Sequence, residues 1–201
     1  MSNKYKMYMN GIMSNVILLF STGGIIQNFF AGVGFSNEQI GTYSSVVSII
    51  QVLTMILSVF VSHRIKDVKT FSAVSALAPA VLCAAMIPAC FGKYSSVSMI
   101  FGIALTVCII QNLVTGFRNV LEYRLPYSVI DMSEFASITN VQTVISNVFG
   151  IGASALIAFL SVRFAYNHIM AVGFIISILF CFGIFGLTQS YKIIKEPFVE
   201  R

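Results

Sequence analysis

The chain has 201 residues, of which 57% are hydrophobic and 9% are charged, and its formal net charge at neutral pH is +5. A soluble domain carries about 25% charged residues, so this composition excludes an ordinary soluble protein and indicates an all-α integral membrane protein. The length allows six membrane-spanning helices with short loops, at about 20 residues per span. We interpret the positive charge as an asymmetry of the loops and expect no nucleic-acid partner.

Six apolar stretches follow one another along the chain. Hydrocarbon cannot hydrogen-bond the backbone, so each stretch is predicted to be a helix that crosses the lipid bilayer. We number them spans 1 to 6, and their predicted ranges are 8–31, 40–61, 71–91, 97–117, 133–160 and 168–187. Ser36 and Gln39 have capping-box spacing at the start of span 2, and Asp131 is the predicted cap of span 5. Pro79 and Pro88 are predicted to bend span 3.

The lysines and arginines are concentrated in alternate connectors. On the six-span layout two of the 12 basic residues, Lys93 and Arg163, fall on one side. The other ten fall on the opposite side, and these are Lys4, Lys6, Arg64, Lys66, Lys69, Arg118, Arg124, Lys192, Lys195 and Arg201. This bias predicts a multi-pass protein of the cell membrane with both termini in the cytoplasm. Residues 62–70 are then a basic cytoplasmic loop.

The sequence indicates neither a metal site nor a cofactor. The four cysteines lie inside apolar spans without CxxC spacing or nearby histidines, so we expect them to be buried and reduced. They are Cys83, Cys90, Cys108 and Cys181. The two histidines, His63 and His168, are too far apart in the predicted topology to share a metal ion.

Polar side chains form one stripe on each of spans 1, 2, 4 and 5 when these are drawn with helical periodicity. Four such faces can enclose a water-filled path for a small-molecule substrate. The predicted substrate-cavity residues are Asn10, Ser14, Ser21, Asn28, Gln51, Thr54, Gln111, Thr115, Asn140, Thr143 and Asn147. Alternatively, these groups only bond one helix to another, at about 0.6 kcal/mol each. For the amides both interpretations stay open, because an amide has donors and acceptors to satisfy.

Apart from Glu134 at the start of span 5, the predicted spans lack Asp, Glu, Lys and Arg, which limits the kind of solute they can bind. Ionisable residues inside a membrane usually persist because they bind ions, protons or charged substrates. A site built from amides, hydroxyls and aromatic rings suits a neutral or weakly amphipathic solute. Spans 3 and 6 have small or apolar faces, and we expect them to pack outside the four polar helices.

This layout resembles the N-terminal six-helix half of a major facilitator superfamily (MFS) transporter. The basic loop after span 2 places His63, Arg64, Lys66 and Lys69 on that family's Gly-x-x-x-Asp-Arg-x-Gly-Arg-Lys type signature, with His63 at the acidic position. Gln111 in span 4 falls on the glutamine of an Arg-x-x-Gln-Gly signature. The connector Leu125-Pro126-Tyr127 is similar to one in the sugar-cation symporter branch, whose aspartates in spans 2 and 4 are absent here.

The resemblance implies a secondary transporter that moves a small solute by alternating access, and no enzyme activity. Its partners would be the bilayer, the substrate and a second six-helix half, with residues 191–201 beginning the loop between halves. His63, Arg64, Lys66 and Lys69 would form a cytoplasmic gate loop, paired with acidic groups such as Asp67, Glu122 or Asp131. The alternative for these basic residues is that they only set the topology.

Two other functions fit parts of the sequence. A six-span chain of this size can be the substrate-binding membrane subunit of an energy-coupling vitamin uptake system, although it shows no strongly marked binding loop. An intramembrane serine protease is suggested by Gly152-Ala153-Ser154-Ala155 together with His168. A serine needs a histidine within hydrogen-bond reach to act as a nucleophile, and His168 is predicted at the outer end of span 6, away from Ser154. Small-residue helix packing is the preferred interpretation of that motif.

Overall fold

The structure is a computed structural model that describes residues 2–61, 64–122 and 124–194. Over these ranges it is all-helical, and six segments are long and apolar enough to cross a membrane. The prediction of an all-helical chain with six such segments is confirmed. His63, Lys195 and Arg201 lie outside the described residues.

Nine helices form in the described ranges. They are α1 (Asn3–Ser21), α2 (Gly23–Val33), α3 (Asn37–Val61), α4 (Val68–Ser75), α5 (Ala78–Cys90), α6 (Val97–Glu122), α7 (Arg124–Val129), α8 (Met132–Ser161) and α9 (Tyr166–Gln189). Span 1 consists of α1 and α2, and span 3 of α4 and α5. Spans 2, 4, 5 and 6 are α3, α6, α8 and α9, while α7 is a short connector between spans 4 and 5.

Two spans are interrupted where the sequence predicted continuous or merely bent helices. Span 1 breaks at Thr22, whose backbone is extended, and Gly23 follows with a φ of +70°. Span 3 breaks after Ser75, because Pro79 lacks the N–H that would reach the carbonyl of Ser75. Pro88 lies inside α5 near its end.

The helix caps follow the local sequence. The Ser36 N–H donates to Gln39 Oε1 (2.9 Å) and the Gln39 N–H to Ser36 Oγ (3.2 Å), which confirms the predicted capping box. Asp131 caps α8 through the Ser133 N–H at 3.4 Å, as predicted. Asp67 likewise caps α4, accepting from the Thr70 N–H at 2.9 Å.

Long-range contacts define the two ends of the bundle. At one end the Asn3 amide donates to the Val129 carbonyl (2.7 Å), and Lys69 Nζ donates to the Tyr191 carbonyl (3.0 Å). The helix order places eight described lysines and arginines at this end, which we call the basic end. At the opposite end, the far end, the Tyr166 hydroxyl donates to the Ile25 carbonyl at 2.9 Å.

The packing of the six spans has an internal symmetry. Span 1 packs against spans 5 and 6, and span 4 packs against spans 2 and 3. Spans 3 and 6 also pack against each other. Exchanging spans 1, 2 and 3 with spans 4, 5 and 6 leaves these pairings unchanged. Because spans 1 and 4 cross the bundle in opposite directions, the two three-helix units are inverted relative to each other.

The degree of burial differs strongly among the spans. Spans 3 and 6 are the most buried, and spans 2 and 5 are the least buried. We expected spans 3 and 6 to pack outside the four polar helices and against the lipid, but they are instead buried against each other and against spans 4 and 1. The small residues of span 3 allow this close packing. The core near the far end is aromatic: Phe30 stacks on Phe35 (4.7 Å) and meets Tyr43 edge-on (4.9 Å). All four cysteines are buried and free, as predicted.

Candidate solute cavities

A cavity of about 450 Å³ lies at the basic end of the bundle. It is lined by residues of spans 1, 2, 4 and 5 together with α7 and Tyr191. Its polar lining consists of Asn10, Ser14, Asn15, Asn119, Thr139, Gln142 and Tyr191. None of these side chains carries a charge at neutral pH, so the cavity offers hydrogen bonds without an ion partner. We call it the main cavity.

The hydrogen bonds within the wall of the main cavity use only part of the hydrogen-bonding capacity of its polar side chains. Asn15 donates to the Gly11 carbonyl (2.9 Å), and Ser14 donates to Asn10 Oδ1 at 3.4 Å. Asn10 Nδ2 meets the Tyr191 hydroxyl at 3.4 Å. The last two contacts are longer than the usual distance of about 2.9 Å, so a solute oxygen can replace them at small cost.

Span 5 reaches the main cavity through Gln142, which lies on span 1 at Gly11. A Cβ at position 11 would be 2.2 Å from Gln142 Nε2, so the glycine is what allows this close approach. Span 2 and span 4 make a similar contact, where Thr54 lies against Gly116. These contacts set the separation of the helices around the cavity.

Residues 190–194, which follow span 6, form a strap across the basic end. Asn3 Nδ2 donates to the Lys192 carbonyl, and the Lys192 N–H returns a bond to Asn3 Oδ1. Lys6 Nζ donates to the Ser190 carbonyl, and the Ile194 N–H to the Ser128 carbonyl (2.7 Å). The strap is thereby tied to α1 and α7, and Lys69 adds a bond from α4. It places Tyr191, only 3% exposed, in the wall of the main cavity.

A second cavity of about 250 Å³ adjoins the break in span 1. Its polar lining consists of Ser21, Thr22, Gln27, Tyr43, Ser44, Ser48, Gln51, Cys108 and Asn112, from spans 1, 2 and 4. Gln51 Nε2 donates to Asn112 Oδ1 at 3.0 Å, which joins spans 2 and 4 across this wall. We call it the break cavity.

The residues predicted for one shared cavity are thus distributed over several places. Asn10 and Ser14 line the main cavity, whereas Ser21 and Gln51 line the break cavity. Asn28 is exposed and lines neither. Thr54, Gln111 and Thr115 line neither as well: Thr54 is fully buried and donates to the Ile50 carbonyl (2.6 Å), and Thr115 is half-buried. Gln111 is buried, and its Oε1 has no partner among the described residues.

Three residues of the polar stripe of span 5, Asn140, Thr143 and Asn147, are exposed and line neither cavity, whereas Ile138 and Ile157 of the same helix are buried. The helical period predicts which residues share a face but not what that face meets. The main cavity is also lined by polar residues that were not among the predicted ones, and these are Asn15, Asn119, Thr139, Gln142 and Tyr191. Asn15 and Gln142 could have been found from the sequence because each is an amide inside a predicted apolar span, whereas Asn119 lies beyond the predicted end of span 4.

The predicted gate loop contributes one clear contact. Arg64 and Lys66 are exposed, and Lys69 binds the strap. Asp67 and Asp131 serve as helix caps, while His63 and the side chain of Glu122 fall outside the described part of the chain. Arg118 was predicted in a connector, but α6 continues to Glu122 and buries it.

Neither a metal centre nor a catalytic pair is apparent in the described ranges. No group of three or more His, Cys, Asp or Glu side chains there has an arrangement that could hold a metal ion. Ser154 is exposed on the outer side of α8, and the His168 ring lies 6.3 Å from that of Phe91.

The comparisons with known proteins found no relatives. No protein-family model matches the chain, and no curated protein or solved structure shows significant similarity to it. The proposal for its function therefore rests on the sequence pattern and the geometry.

Proposed function

We propose that this chain is one six-helix half of an alternating-access transporter of the MFS type, and that it moves a small uncharged solute. The observation that carries the proposal is the internal symmetry of the packing. Two inverted three-helix units within each six-helix half are a general feature of that transporter architecture. The symmetry is independent of the sequence resemblance, since it comes from which spans touch.

The main cavity supports the solute class. Its wall contains four amides, two hydroxyls from serine and threonine, and the phenol of Tyr191. A charged solute would leave its charge unpaired in such a site, which is costly away from water. A solute with several hydroxyl or amide groups would instead find both donors and acceptors.

A second six-helix half is supported by the outer face of span 5. Asn140, Thr143 and Asn147 would face lipid if this chain stood alone in a bilayer. Amide groups in hydrocarbon lack hydrogen-bond partners and are unfavourable there. Another six-helix unit, on the side where spans 2 and 5 are least buried, would remove these groups from lipid. The basic end would then face the cytoplasm under the positive-inside rule.

The test is thiol labelling of the full chain in membranes. Asn119→Cys and Gln142→Cys are expected to react with a membrane-impermeant methanethiosulfonate reagent added at the basic end. Wild-type chain is the control, because its four cysteines are buried. A panel of hexoses, polyols and nucleosides should contain at least one compound that slows both reactions. Charged analogues of that compound should not protect.

Two results would overturn the proposal. Protection by charged compounds alone would exclude the uncharged solute class. Failure of both cysteines to react in either orientation of the membrane would mean that the main cavity is dry. Lys66→Cys and Lys93→Cys, labelled from opposite sides, check the orientation in the same membranes.

A further inference from the structure

The break in span 1 places irregular backbone inside a membrane-spanning segment. Both the N–H and Oγ1 of Thr22 bind the Leu18 carbonyl, at 3.0 and 2.8 Å, and the helix resumes at Gly23. A helix end leaves its last carbonyl groups without partners inside the helix. In membrane proteins such backbone is tolerated where it is buried in protein or lines a polar cavity. Here it borders the break cavity.

Most of the hydrogens in the wall of the break cavity are already donated within the protein. Ser44 donates to the Ile40 carbonyl (2.9 Å) and Ser48 to the Ser44 carbonyl (3.0 Å). Gln27 donates one amide hydrogen to Ser44 Oγ (3.0 Å), and Gln51 donates one to Asn112. The Asn112 amide donates to the Cys108 carbonyl at 2.8 Å.

The oxygens of the same groups keep lone pairs that these bonds do not use. A glutamine carbonyl oxygen accepts two hydrogen bonds, and a hydroxyl that donates still has two acceptor sites. Gln27 Oε1, Gln51 Oε1, Ser48 Oγ and Thr22 Oγ1 therefore give the cavity a surplus of acceptors. A ligand that complements this wall brings positive charge or donors.

Ser21 is an independent observation that the break cavity can take a ligand. Its side chain is 2% exposed and lines the break cavity, and Oγ has no hydrogen-bond partner among the described residues. A buried polar group without a partner costs about 1 to 3 kcal/mol. A ligand in the cavity would remove that cost.

We propose that the break cavity binds a monovalent cation such as Na⁺ through neutral oxygens. The lining contains no carboxylate, so it does not provide the charge that a divalent ion would need. At the break, the partly negative C-terminus of α1 meets the partly positive N-terminus of α2, so the two helix dipoles favour neither a cation nor an anion. The oxygens of the lining therefore decide the sign of the charge that the cavity binds. Broken helices in transporters bind sodium through unwound backbone and helix ends in this way. This proposal does not depend on which solute is moved.

The test compares the thermal unfolding of the purified full chain in NaCl and in N-methyl-D-glucamine chloride at equal ionic strength. Na⁺ is expected to raise Tm in a saturable way, by about 3 to 5 °C at ten times its Kd. Ser21→Ala should lose most of this rise, and in N-methyl-D-glucamine chloride its Tm should be unchanged or higher than that of the wild type, since the variant removes a buried hydroxyl that has no partner among the described residues. Ser177→Ala is the control. That buried hydroxyl binds the Gly173 carbonyl (2.8 Å), so its loss should lower Tm equally in both salts.

Equilibrium binding of radioactive sodium provides a second measurement. Ser21→Ala, or Ser48→Ala where the first variant fails to fold, should weaken binding about tenfold, which corresponds to one lost ligand oxygen. Equal Tm values in the two salts, or sodium binding that neither variant weakens, would overturn the site. Because neither readout requires a solute, failure here would leave the transport proposal standing.

Discussion

Asn3 and Lys192, 189 positions apart in the chain, exchange two hydrogen bonds: the Asn3 amide donates to the Lys192 carbonyl, and the Lys192 N–H donates to Asn3 Oδ1. The same Asn3 amide also binds the Val129 carbonyl. One side chain therefore holds the strap, the connector helix α7 and the N-terminal helix together at the basic end.

Replacing Asn3 by alanine is expected to loosen the strap. Three hydrogen bonds are lost in a partly exposed place, at a cost of about 1 to 2 kcal/mol. Amide hydrogen exchange at Lys192 and Ile194, followed by mass spectrometry, should become at least about tenfold faster. Asn37→Ala, at an exposed position at the far end, is the control and should leave it unchanged. Unchanged exchange in Asn3→Ala would show that the remaining bonds hold the strap without Asn3.

Gly11→Ala is expected to destabilise the contact between spans 1 and 5. The new Cβ would lie 2.2 Å from Gln142 Nε2 and 2.5 Å from its Cγ, so the side chain must move, at about 1 to 3 kcal/mol. The measurement is the free energy of unfolding in mixed micelles. In the background Gln142→Ala the clash disappears and the cost should vanish. Gly152→Ala, which meets nothing within 4 Å, should be close to neutral.

The neighbours Gln111 and Asn112 should respond in opposite directions to replacement by leucine. Gln111 Oε1 is buried without a partner in the described structure, so Gln111→Leu is expected to be neutral or to stabilise by about 1 kcal/mol. Asn112 is bonded to Cys108 and to Gln51, and Asn112→Leu should cost about 1 to 3 kcal/mol. The measurement is the free energy of unfolding of each variant in mixed micelles, compared with that of the wild type. A large loss for Gln111→Leu would mean that its oxygen has a partner in the membrane.

The cap of α4 should depend on pH. A hydrogen bond from the Thr70 side chain, followed by one from its N–H, lowers the pKa of Asp67. A lowered folded pKa means that this stabilisation is fully present above the unfolded value of about 3.9 and is lost as pH falls through the folded value. Asp67→Ala should therefore cost about 1 kcal/mol at neutral pH. The difference from wild type in thermal unfolding should shrink as the pH falls through the lowered pKa of Asp67.

Asp67→Asn keeps a side-chain oxygen that can cap α4 but removes the carboxylate charge. The amide oxygen still accepts from the Thr70 N–H, so most of the stability at neutral pH should remain. Its difference from Asp67→Ala should not change with pH. If the difference in stability between Asp67→Asn and Asp67→Ala did depend on pH, a titrating group other than Asp67 would be responsible.

Features set by local chemistry were predictable from the sequence. The capping box at Ser36 and the cap at Asp131 depend on side chains a few residues from the helix start, and the six spans depend on hydropathy alone. The sequence predicts the end of span 4 before Arg118, whereas the helix continues past Arg118 and buries its side chain. A charge pattern shows which residues are basic but not how deep they lie.

The candidate site was only partly predictable, because its parts depend on packing between distant helices. Asn10 and Ser14 of the predicted set line the main cavity, whereas Tyr191, which was not predicted, reaches it only through the strap. The stripe of Asn140, Thr143 and Asn147 was real as a pattern, yet its direction depends on which side of span 5 meets span 1 at Gly11. The break at Thr22 was signalled only by the paired glycines Gly23 and Gly24.

Span 1 is synthesised before span 6, yet it packs more extensively against span 6 than against any other helix in the described structure. Until span 6 and the strap are in place, Phe20 lacks its contact with Gly173, and Asn10 lacks its hydrogen-bond partner Tyr191. A nascent chain that has inserted five helices is therefore incompletely assembled, and we expect the insertion machinery to retain it. Assembly of these six helices should be completed by a late step, in which span 6 docks on span 1 and the strap then binds Asn3.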